Sequence, residues 1–255
     1  MIIDINGYFG IWPYWPLRGG DPASMLAKMV QYKIGRIFIS SLKSVFSDPQ
    51  GGNAEIKNAV ARHPRRFLPA FTYSPYAAGW DGYREDCEEA GICLIKLFPA
   101  HHTYHFAEEP RIAELLEFCG ERKIPVLIPR RLMMSWRLPV LDVNEIGQLA
   151  SAFPQIPFII GAINYLGELQ TALHIMRQRA NVWIETSAMM AFREIESVVN
   201  QVGAERILHG SALPLQNPAI APLKIQNADI SDADKERIFF RNAERLFPGI
   251  AWNES

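Results

Sequence analysis

The chain has 255 residues, and 49% of them are hydrophobic, which is enough for one large domain to bury a substantial core. A formal net charge of −1 argues against the basic surface of a nucleic-acid-binding protein. No apolar stretch approaches the roughly 20 residues needed to span a bilayer, and the N-terminus lacks the pattern of a signal peptide. We therefore expect a soluble cytoplasmic protein with neither nucleic acid nor a membrane as its partner.

Short apolar runs alternate with helical patterns along the whole chain. Strands are predicted at 2–5, 36–40, 67–72, 92–98, 125–128, 157–162, 182–186 and 206–210. Helices are predicted at 22–31, 54–61, 83–90, 111–122, 143–152, 166–178 and 191–201, and a terminal helix at 232–240 follows the N-cap candidate Ser231.

This alternation predicts repeated strand–helix units around a parallel sheet. Runs that are apolar on both faces are typical of strands buried beneath helices. Eight units over residues 1–255 favour a single-domain (β/α)8 TIM-type barrel, and an open doubly wound sheet is the alternative.

The three cysteines, Cys87, Cys93 and Cys119, contain no Cys-x-x-Cys pair. An odd number of cysteines does not suggest a disulfide framework. Cys93 falls in an apolar run and the other two fall in helical patterns, so we interpret all three as packing residues.

Two segments resemble motifs of a known family. Residues 3–8 read Ile-Asp-Ile-Asn-Gly-Tyr, and residues 208–214 read Leu-His-Gly-Ser-Ala-Leu-Pro. They resemble the His-x-His and Gly-Ser-Asp-x-Pro motifs of the amidohydrolase 2 family, which contains metal-dependent hydrolases and decarboxylases similar to aminocarboxymuconate-semialdehyde decarboxylase. Further similarity follows in the same order at 63–70, 91–99, 181–187 and 237–247. The resemblance covers nearly the whole chain and implies a TIM barrel.

The positions that carry metal ligands in this family are altered here. Asn6 and Tyr8 replace the two histidines of the first motif, and Ala212 replaces the aspartate of the last one. The fifth and sixth strands, which usually end in histidine, run into Pro129 and Ala162 instead. Zinc prefers thiolate, imidazole and carboxylate ligands, so these residues cannot assemble the inherited site. We predict that the protein uses no metal and no other cofactor.

Polar residues at the predicted carboxyl ends of the strands form the best remaining candidate site. His209, Tyr8 and Glu185 are the candidate catalytic residues, because each could transfer a proton or steer one. Lys96 and Arg130 could hold an anionic group. Alternatively, these charges pair with one another and cap the strand ends. The candidate substrate-binding residues are Asn6, Lys96, Arg130, Arg131, His101, Asn164, Ser187 and Ser211.

Two loops carry rings that could border such a site. The segment 101–105 shows no helical pattern, and we interpret it as a loop over the barrel mouth with His101 touching a ligand. A new metal site formed by His101, His102 and His105 is the alternative. The aromatic segment 10–16, together with Trp136, could wall a pocket or cover a subunit interface.

Three functions follow from these observations. The first is a metal-independent hydrolase for a small carboxylated or cyclic substrate (a lactone, ester or amide), with decarboxylation as a lesser option. By resemblance, the lactonase branch of the family works without a metal. The second is an inactive pseudoenzyme that binds a small ligand or a protein partner, and the third is a zinc enzyme with a relocated metal site. Perturbed pKa values within one pocket would indicate catalysis, whereas satisfied ion pairs and a closed mouth would favour the pseudoenzyme.

The expected partners are a small anionic molecule and further copies of the chain, as a homodimer or larger homo-oligomer.

Overall fold

A ring of parallel strands forms the centre of the molecule. The computed structural model describes residues 1–77, 79–133 and 137–252. The strands are β1 (Ile2–Phe9), β2 (Ile34–Ser41), β3 (Phe67–Pro69), β4 (Phe71–Thr72), β5 (Ile95–Lys96), β6 (Val126–Pro129), β7 (Phe158–Gly161), β8 (Val182–Glu185) and β9 (Ile207–Leu208). β3 and β4 are the two halves of one barrel strand, so the ring has eight strands.

Backbone hydrogen bonds join two parallel ladders, β1–β3 and β4–β9, into one barrel. On one side, the Ala70 N–H donates to the Ile39 carbonyl at 3.0 Å. On the other side, the Ile5 N–H donates to the His209 carbonyl at 3.0 Å, and the Tyr8 N–H donates to the Leu213 carbonyl at 2.7 Å. The predicted (β/α)8 fold is therefore confirmed.

Helices surround the ring. They are α1 (Pro22–Gln31), α2 (Leu42–Phe46), α3 (Pro49–Arg62), α4 (Trp80–Glu89), α5 (Pro99–His102), α6 (Pro110–Arg122), α7 (Val143–Ala152), α8 (Leu166–Gln178), α9 (Glu194–Val202), α10 (Ile220–Gln226), α11 (Asp232–Glu236) and α12 (Asn242–Leu246), with the π-helical turn Arg237–Arg241 between the last two.

The predicted helices at 22–31, 143–152 and 166–178 have the observed bounds. Ser231 caps α11 as predicted, because its side chain accepts a hydrogen bond from the Asp234 N–H. The prediction of a loop at 101–105 was wrong at its start, since α5 reaches His102 before Thr103 adopts a left-handed conformation. α2, α5 and α10 are too short to leave a clear helical period in the sequence.

Each barrel strand divides its side chains between two apolar layers. Those that point outward pack against the helices. Those that point inward meet on the barrel axis, and they include Ile3, Phe38, Leu68, Leu94, Leu127, Ile159, Trp183 and Leu208. Phe247, in the C-terminal segment, packs on Phe38 with ring centroids 4.6 Å apart and covers the lower end of the axis. The polar groups considered below lie at the upper, carboxyl end.

No helix within the described ranges is both long enough and apolar enough to cross a membrane.

Candidate functional site

A bulge in β1 places two predicted site residues on the barrel axis. Asp4 pairs with Ile37 and Gly7 pairs with Ile39, so three steps along β1 match two steps along β2. The extra residue interrupts the alternation of side chains between the inner and outer faces of β1. As a result, both Asn6 and Tyr8 face inward. Gly7 faces outward, where a Cβ atom would lie 2.5 Å from Ile37 Cδ1. Glycine is therefore required between the two inward-facing residues.

Lys96, at the end of β5, lies at the centre of the barrel. Its Nζ donates hydrogen bonds to Asn6 Oδ1 at 2.9 Å and to the Gly7 carbonyl at 3.0 Å. The same nitrogen lies 4.4 Å from the centroid of the Tyr8 ring, a distance that allows a cation–π interaction. The side chain has no solvent exposure. The ammonium group therefore has three favourable contacts and no route to water.

Glu185, at the end of β8, accepts four hydrogen bonds. Its Oε1 accepts from Asn6 Nδ2 at 3.0 Å, from the Ala162 N–H at 2.8 Å and from Ser187 Oγ at 2.6 Å. Its Oε2 accepts from the Ser187 N–H at 2.5 Å. Donors of this number hold the carboxylate in one orientation. Three of them bind Oε1 and one binds Oε2.

Two glycines make room for this carboxylate. A Cβ atom on Gly210 would lie 2.1 Å from Glu185 Oε2, and one on Gly161 would lie 3.1 Å from Glu185 Oε1. Ala162 adopts a left-handed conformation with φ of 56°, which is unusual for a residue other than glycine. Its N–H is one of the four donors to Glu185. The backbone around β7 and β9 is thus shaped to fit Glu185.

An apolar plug closes the barrel above these groups. We define the plug as the buried cluster formed by Tyr8, Trp12, Leu42, Val45, Phe98, Leu132, Leu138, Ala212 and Leu215. Ala212, which was predicted to stand at the position of the family's aspartate, contributes a methyl group to this cluster. Asn6, Lys96 and Glu185 beneath it are each at most 1% exposed. In this conformation the barrel centre is sealed.

Burial shifts the pKa values of the central groups. It lowers the pKa of Lys96 to about 7, although the charges of Asp4 and Glu185 oppose the shift. Burial also raises the pKa of Asp4, and the hydrogen bonds that Asp4 Oδ1 accepts from the N–H groups of Asn6 and Ser211, both at 3.0 Å, act against that change. The pKa of Tyr8 rises well above its ordinary value because of burial and, to a smaller extent, the Glu185 charge.

The residues at the barrel centre do not fit a metal ion. Asn6 Oδ1 already accepts a hydrogen bond from the Lys96 ammonium, whose positive charge repels a second cation. Within residues 1–77, 79–133 and 137–252, no group of three or more His, Cys, Asp or Glu side chains is arranged to hold a metal. Among these described residues, His101, His102 and His105 do not form such a group.

Arg130 and Arg131 follow β6 but bind a carboxylate away from the barrel centre. Arg130 Nε lies 3.1 Å from Glu168 Oε1, and Arg131 forms a close ion pair with the same oxygen. Glu168 also accepts hydrogen bonds from the backbone N–H groups of Asn164 and Tyr165 at the start of α8. The sequence had predicted that Lys96 and Arg130 hold one anion together. In the structure both arginines bind Glu168 instead, and Lys96 binds Asn6 and Gly7.

His209 does not join the central cluster either. Leu208 points to the barrel axis, and the alternation of the strand directs His209 outward, where its ring lies 5.6 Å from that of Phe239. Within the described part of the chain, neither ring nitrogen has a hydrogen-bond partner. Burial lowers the pKa of His209 to about 3, and the charge of Lys224 adds to the effect.

The remaining predicted residues lie around the upper rim. Asn164 Nδ2 donates to the Ala188 carbonyl at 3.0 Å, and Ser211 Oγ accepts from the Leu213 N–H at 3.0 Å. Trp12, in the aromatic segment, belongs to the plug, whereas Ile11 is 87% exposed. Trp136 lies outside the described residues.

His101 lies in a different place, at a cavity beside the plug. This cavity, which we call the upper pocket, has a volume of about 400 Å³ and lies between the segments that follow β2, β4 and β5. It is lined by Ser44, Val45, Phe46, Ser47, Asp48, Pro49, Gln50, Ser74, Tyr76, Ala77, His101 and His102. The structure thus brings His101 to a pocket, but not to Lys96 or Glu185.

Sequence reasoning missed Asp4, Gly210 and Lys224. The Lys224 ammonium, from α10, donates to the carbonyls of Thr186 and Met189 (2.7 Å to the latter), and burial lowers its pKa to about 8. α10 left no clear pattern in the sequence, so nothing placed this lysine near the barrel. Asp4 could have been noticed, because it is a carboxylate within an apolar strand.

Comparisons with known proteins agree with the geometry. An uncharacterized TIM-barrel protein from Bordetella bronchiseptica is similar in structure, with a TM-score of 0.77 and 18% identity over 97% of this chain and 98% of the other. A 5-carboxyvanillate decarboxylase from Sphingomonas paucimobilis has a TM-score of 0.77 and 15% identity, over 97% of this chain and 98% of the other. A 4-oxalomesaconate hydratase from Rhodopseudomonas palustris has a TM-score of 0.70 and 16% identity, over 97% of this chain and 96% of the other. A comparison with curated sequences gave no match.

These structural likenesses define the class of protein as a TIM barrel. The sequence profile of the amidohydrolase family matches residues 4–249, which is almost the entire chain. The protein is therefore a member of the amidohydrolase family, as its N-terminal and C-terminal motifs had indicated.

Proposed function

We propose that this family member does not carry out a metal-dependent reaction and that it binds a small molecule at the upper pocket. The observation that carries the proposal is the position of Lys96. Its ammonium group lies on the barrel axis, bound to Asn6 and to the Gly7 carbonyl, beneath the apolar plug. In its protonated form, the lysine at this position repels a metal ion.

Two further observations support binding without turnover. The carboxylates at the upper end of the barrel already have partners, because Glu185 accepts four hydrogen bonds from neutral groups and Glu168 pairs with both Arg130 and Arg131. The plug also keeps Lys96 and Glu185 out of contact with solvent. A preformed cavity of about 400 Å³ beside the plug is within the usual size range of small-molecule sites.

Metal content and a reaction screen test this proposal together. We expect protein purified without chelator or added metal to contain almost no transition metal by elemental mass spectrometry. We also expect no turnover of lactones, esters, amides or small aromatic carboxylates above the background of a Lys96→Met variant. A metal present at about one ion per chain, together with turnover that is lost when the metal is removed, would refute the proposal.

The surroundings of Lys96 favour a second candidate, metal-independent hydrolysis or decarboxylation of a small carboxylated or cyclic substrate. A pKa of about 7 leaves Lys96 able to donate or accept a proton near neutral pH. A row of rings leads from the upper pocket toward this lysine, with centroid distances of 6.3 Å from His101 to Phe98 and 6.4 Å from Phe98 to Tyr8. Movement of Phe98 and Tyr8 would connect the pocket with the barrel centre.

The same screen distinguishes the two candidates. If the protein turns over a substrate without metal, Lys96→Met should abolish the reaction. Lys57→Met is the matched control, because Lys57 forms surface ion pairs with Asp86 and Glu89. Turnover that both variants retain would show that Lys96 is not the reacting group.

A further inference from the structure

The charges around the upper pocket indicate what it can bind. Among the described residues that line it, Asp48 is the one acidic side chain, and no lysine or arginine takes part. The Asp48 carboxylate accepts a hydrogen bond from the Gly51 N–H at the start of α3 and pairs with Lys43 at 3.0 Å. It therefore occupies the place where the helix N-terminus would attract an anion. An anionic ligand would meet no positive side chain in this lining.

Both histidines of the pocket are held in the neutral form. Burial lowers the pKa of His101 to about 4, and burial also lowers the pKa of His102. Within the described ranges, His101 Nε2 and His102 Nδ1 are buried and have no hydrogen-bond partner. A buried polar atom without a partner is unfavourable, so a partner supplied by a ligand would be favourable. A hydroxyl group suits either ring tautomer, because it both donates and accepts.

The rest of the lining has the same character. Ser44, Ser47, Ser74 and Gln50 contribute neutral hydrogen-bonding side chains. Phe46 and the exposed Tyr76 contribute aromatic rings, whose apolar surfaces suit the C–H groups of a saturated ring. The combination of uncharged hydrogen-bonding groups with two aromatic rings matches a molecule that carries several hydroxyl groups on an apolar frame.

We propose that the upper pocket binds a neutral polyhydroxylated small molecule, such as a monosaccharide or a cyclic polyol. This inference rests on the proposed function in one respect only, the use of the upper pocket as the binding site. It replaces the anionic ligand expected from the sequence with a neutral one, for the reason that the described lining contains no cationic side chain.

Titration calorimetry and saturation-transfer NMR at pH 7.5 test the proposal with matched pairs of probes. Glucose is compared with glucuronate, and myo-inositol with myo-inositol 1-phosphate. Each pair shares a ring and differs mainly in one charged group. We expect saturable binding of at least one neutral probe, with its anionic counterpart at least tenfold weaker.

Variants locate the binding. His101→Leu should weaken binding at least tenfold, and Tyr76→Ala, which changes an exposed ring and leaves the core intact, should weaken it severalfold. His174→Leu, on the exposed side of α8, is the matched control and should bind as the wild type does.

Three results would overturn the proposal: anionic probes that bind as tightly as the neutral ones, no saturable binding of any neutral probe up to its solubility limit, or binding that both pocket variants retain. None of these results depends on metal content or turnover. Failure of this inference is therefore distinguishable from failure of the proposed function.

Discussion

The Lys96 ammonium nitrogen lies 2.9 Å from Asn6 Oδ1, and Asn6 lies in the segment that was predicted to match the first family motif. Its side-chain oxygen accepts a hydrogen bond from a protein cation. The other end of the same amide donates to Glu185 Oε1 at 3.0 Å. Asn6 therefore links a buried positive charge to a buried negative one across the barrel axis, and each end of its amide has a partner of the appropriate kind.

Lys96→Met should lower the free energy of unfolding by about 2–5 kcal/mol. The change leaves the Asn6 and Gly7 oxygens buried without this donor, and it removes a positive charge that interacts electrostatically with Glu185. Chemical denaturation at pH 7 measures the effect. Lys57→Met removes a lysine from surface ion pairs and should cost about 1 kcal/mol or less. A Lys96→Met protein as stable as the wild type would contradict the role assigned to the ammonium group.

Gly210→Ala tests how closely the backbone fits Glu185. The new methyl group would lie 2.1 Å from Glu185 Oε2, so the carboxylate must move away from its donors. We expect a loss of about 1–3 kcal/mol, measured by denaturation. Gly167→Ala is the control, because its Cβ would meet nothing within 4 Å in α8, and it should be neutral or stabilising by up to about 1 kcal/mol. Equal effects at the two positions would show that Glu185 is not tightly held.

His209→Leu should make the protein less sensitive to acid. The folded state holds His209 neutral down to a pKa of about 3, whereas the unfolded state binds a proton near pH 6.5. Between these values the unfolded state carries the extra proton, so stability falls as the pH falls, by up to about 1.4 kcal/mol per pH unit. The variant loses this contribution, and its stability between pH 6.5 and pH 4.5 should decline less steeply than that of the wild type.

His101 contributes a slope of the same sign, since its pKa is lowered to about 4, and it remains in both proteins. His174→Leu on the exposed side of α8 is the matched control. An unchanged slope in His209→Leu would mean that the imidazole is not held neutral in the folded state.

Local patterns were sufficient for most of the fold. Asp21 is a side-chain N-cap for α1, and Asp142 is one for α7. A few adjacent residues therefore determine where each of these helices begins. The strands were found because runs buried on both faces are continuously apolar. α5 and α10 were missed because one or two helical turns, stabilised by packing, leave no periodic signal.

The sequence predicted which residues lie at the carboxyl end of the barrel, but it did not predict where their side chains point. Parallel strands bring their carboxyl ends to one edge, so Asn6, Lys96 and Glu185 were expected close together, and the structure places them in one hydrogen-bonded cluster. Arg130 and His209 lie at the same edge. Even so, one binds Glu168 and the other faces the outer layer. Side-chain direction depends on strand alternation and on partners that are distant in sequence.

The sequence by itself determined that this chain is a barrel of the amidohydrolase type, because strand and helix periods, caps and motif residues are local properties. Only the tertiary structure decided that Lys96 binds Asn6, that Tyr8, Phe98 and Ala212 close the mouth, and that His101 lines a separate pocket. These relationships join residues tens to hundreds of positions apart. They arise from burial and close packing, which are set once all eight strands have closed the ring.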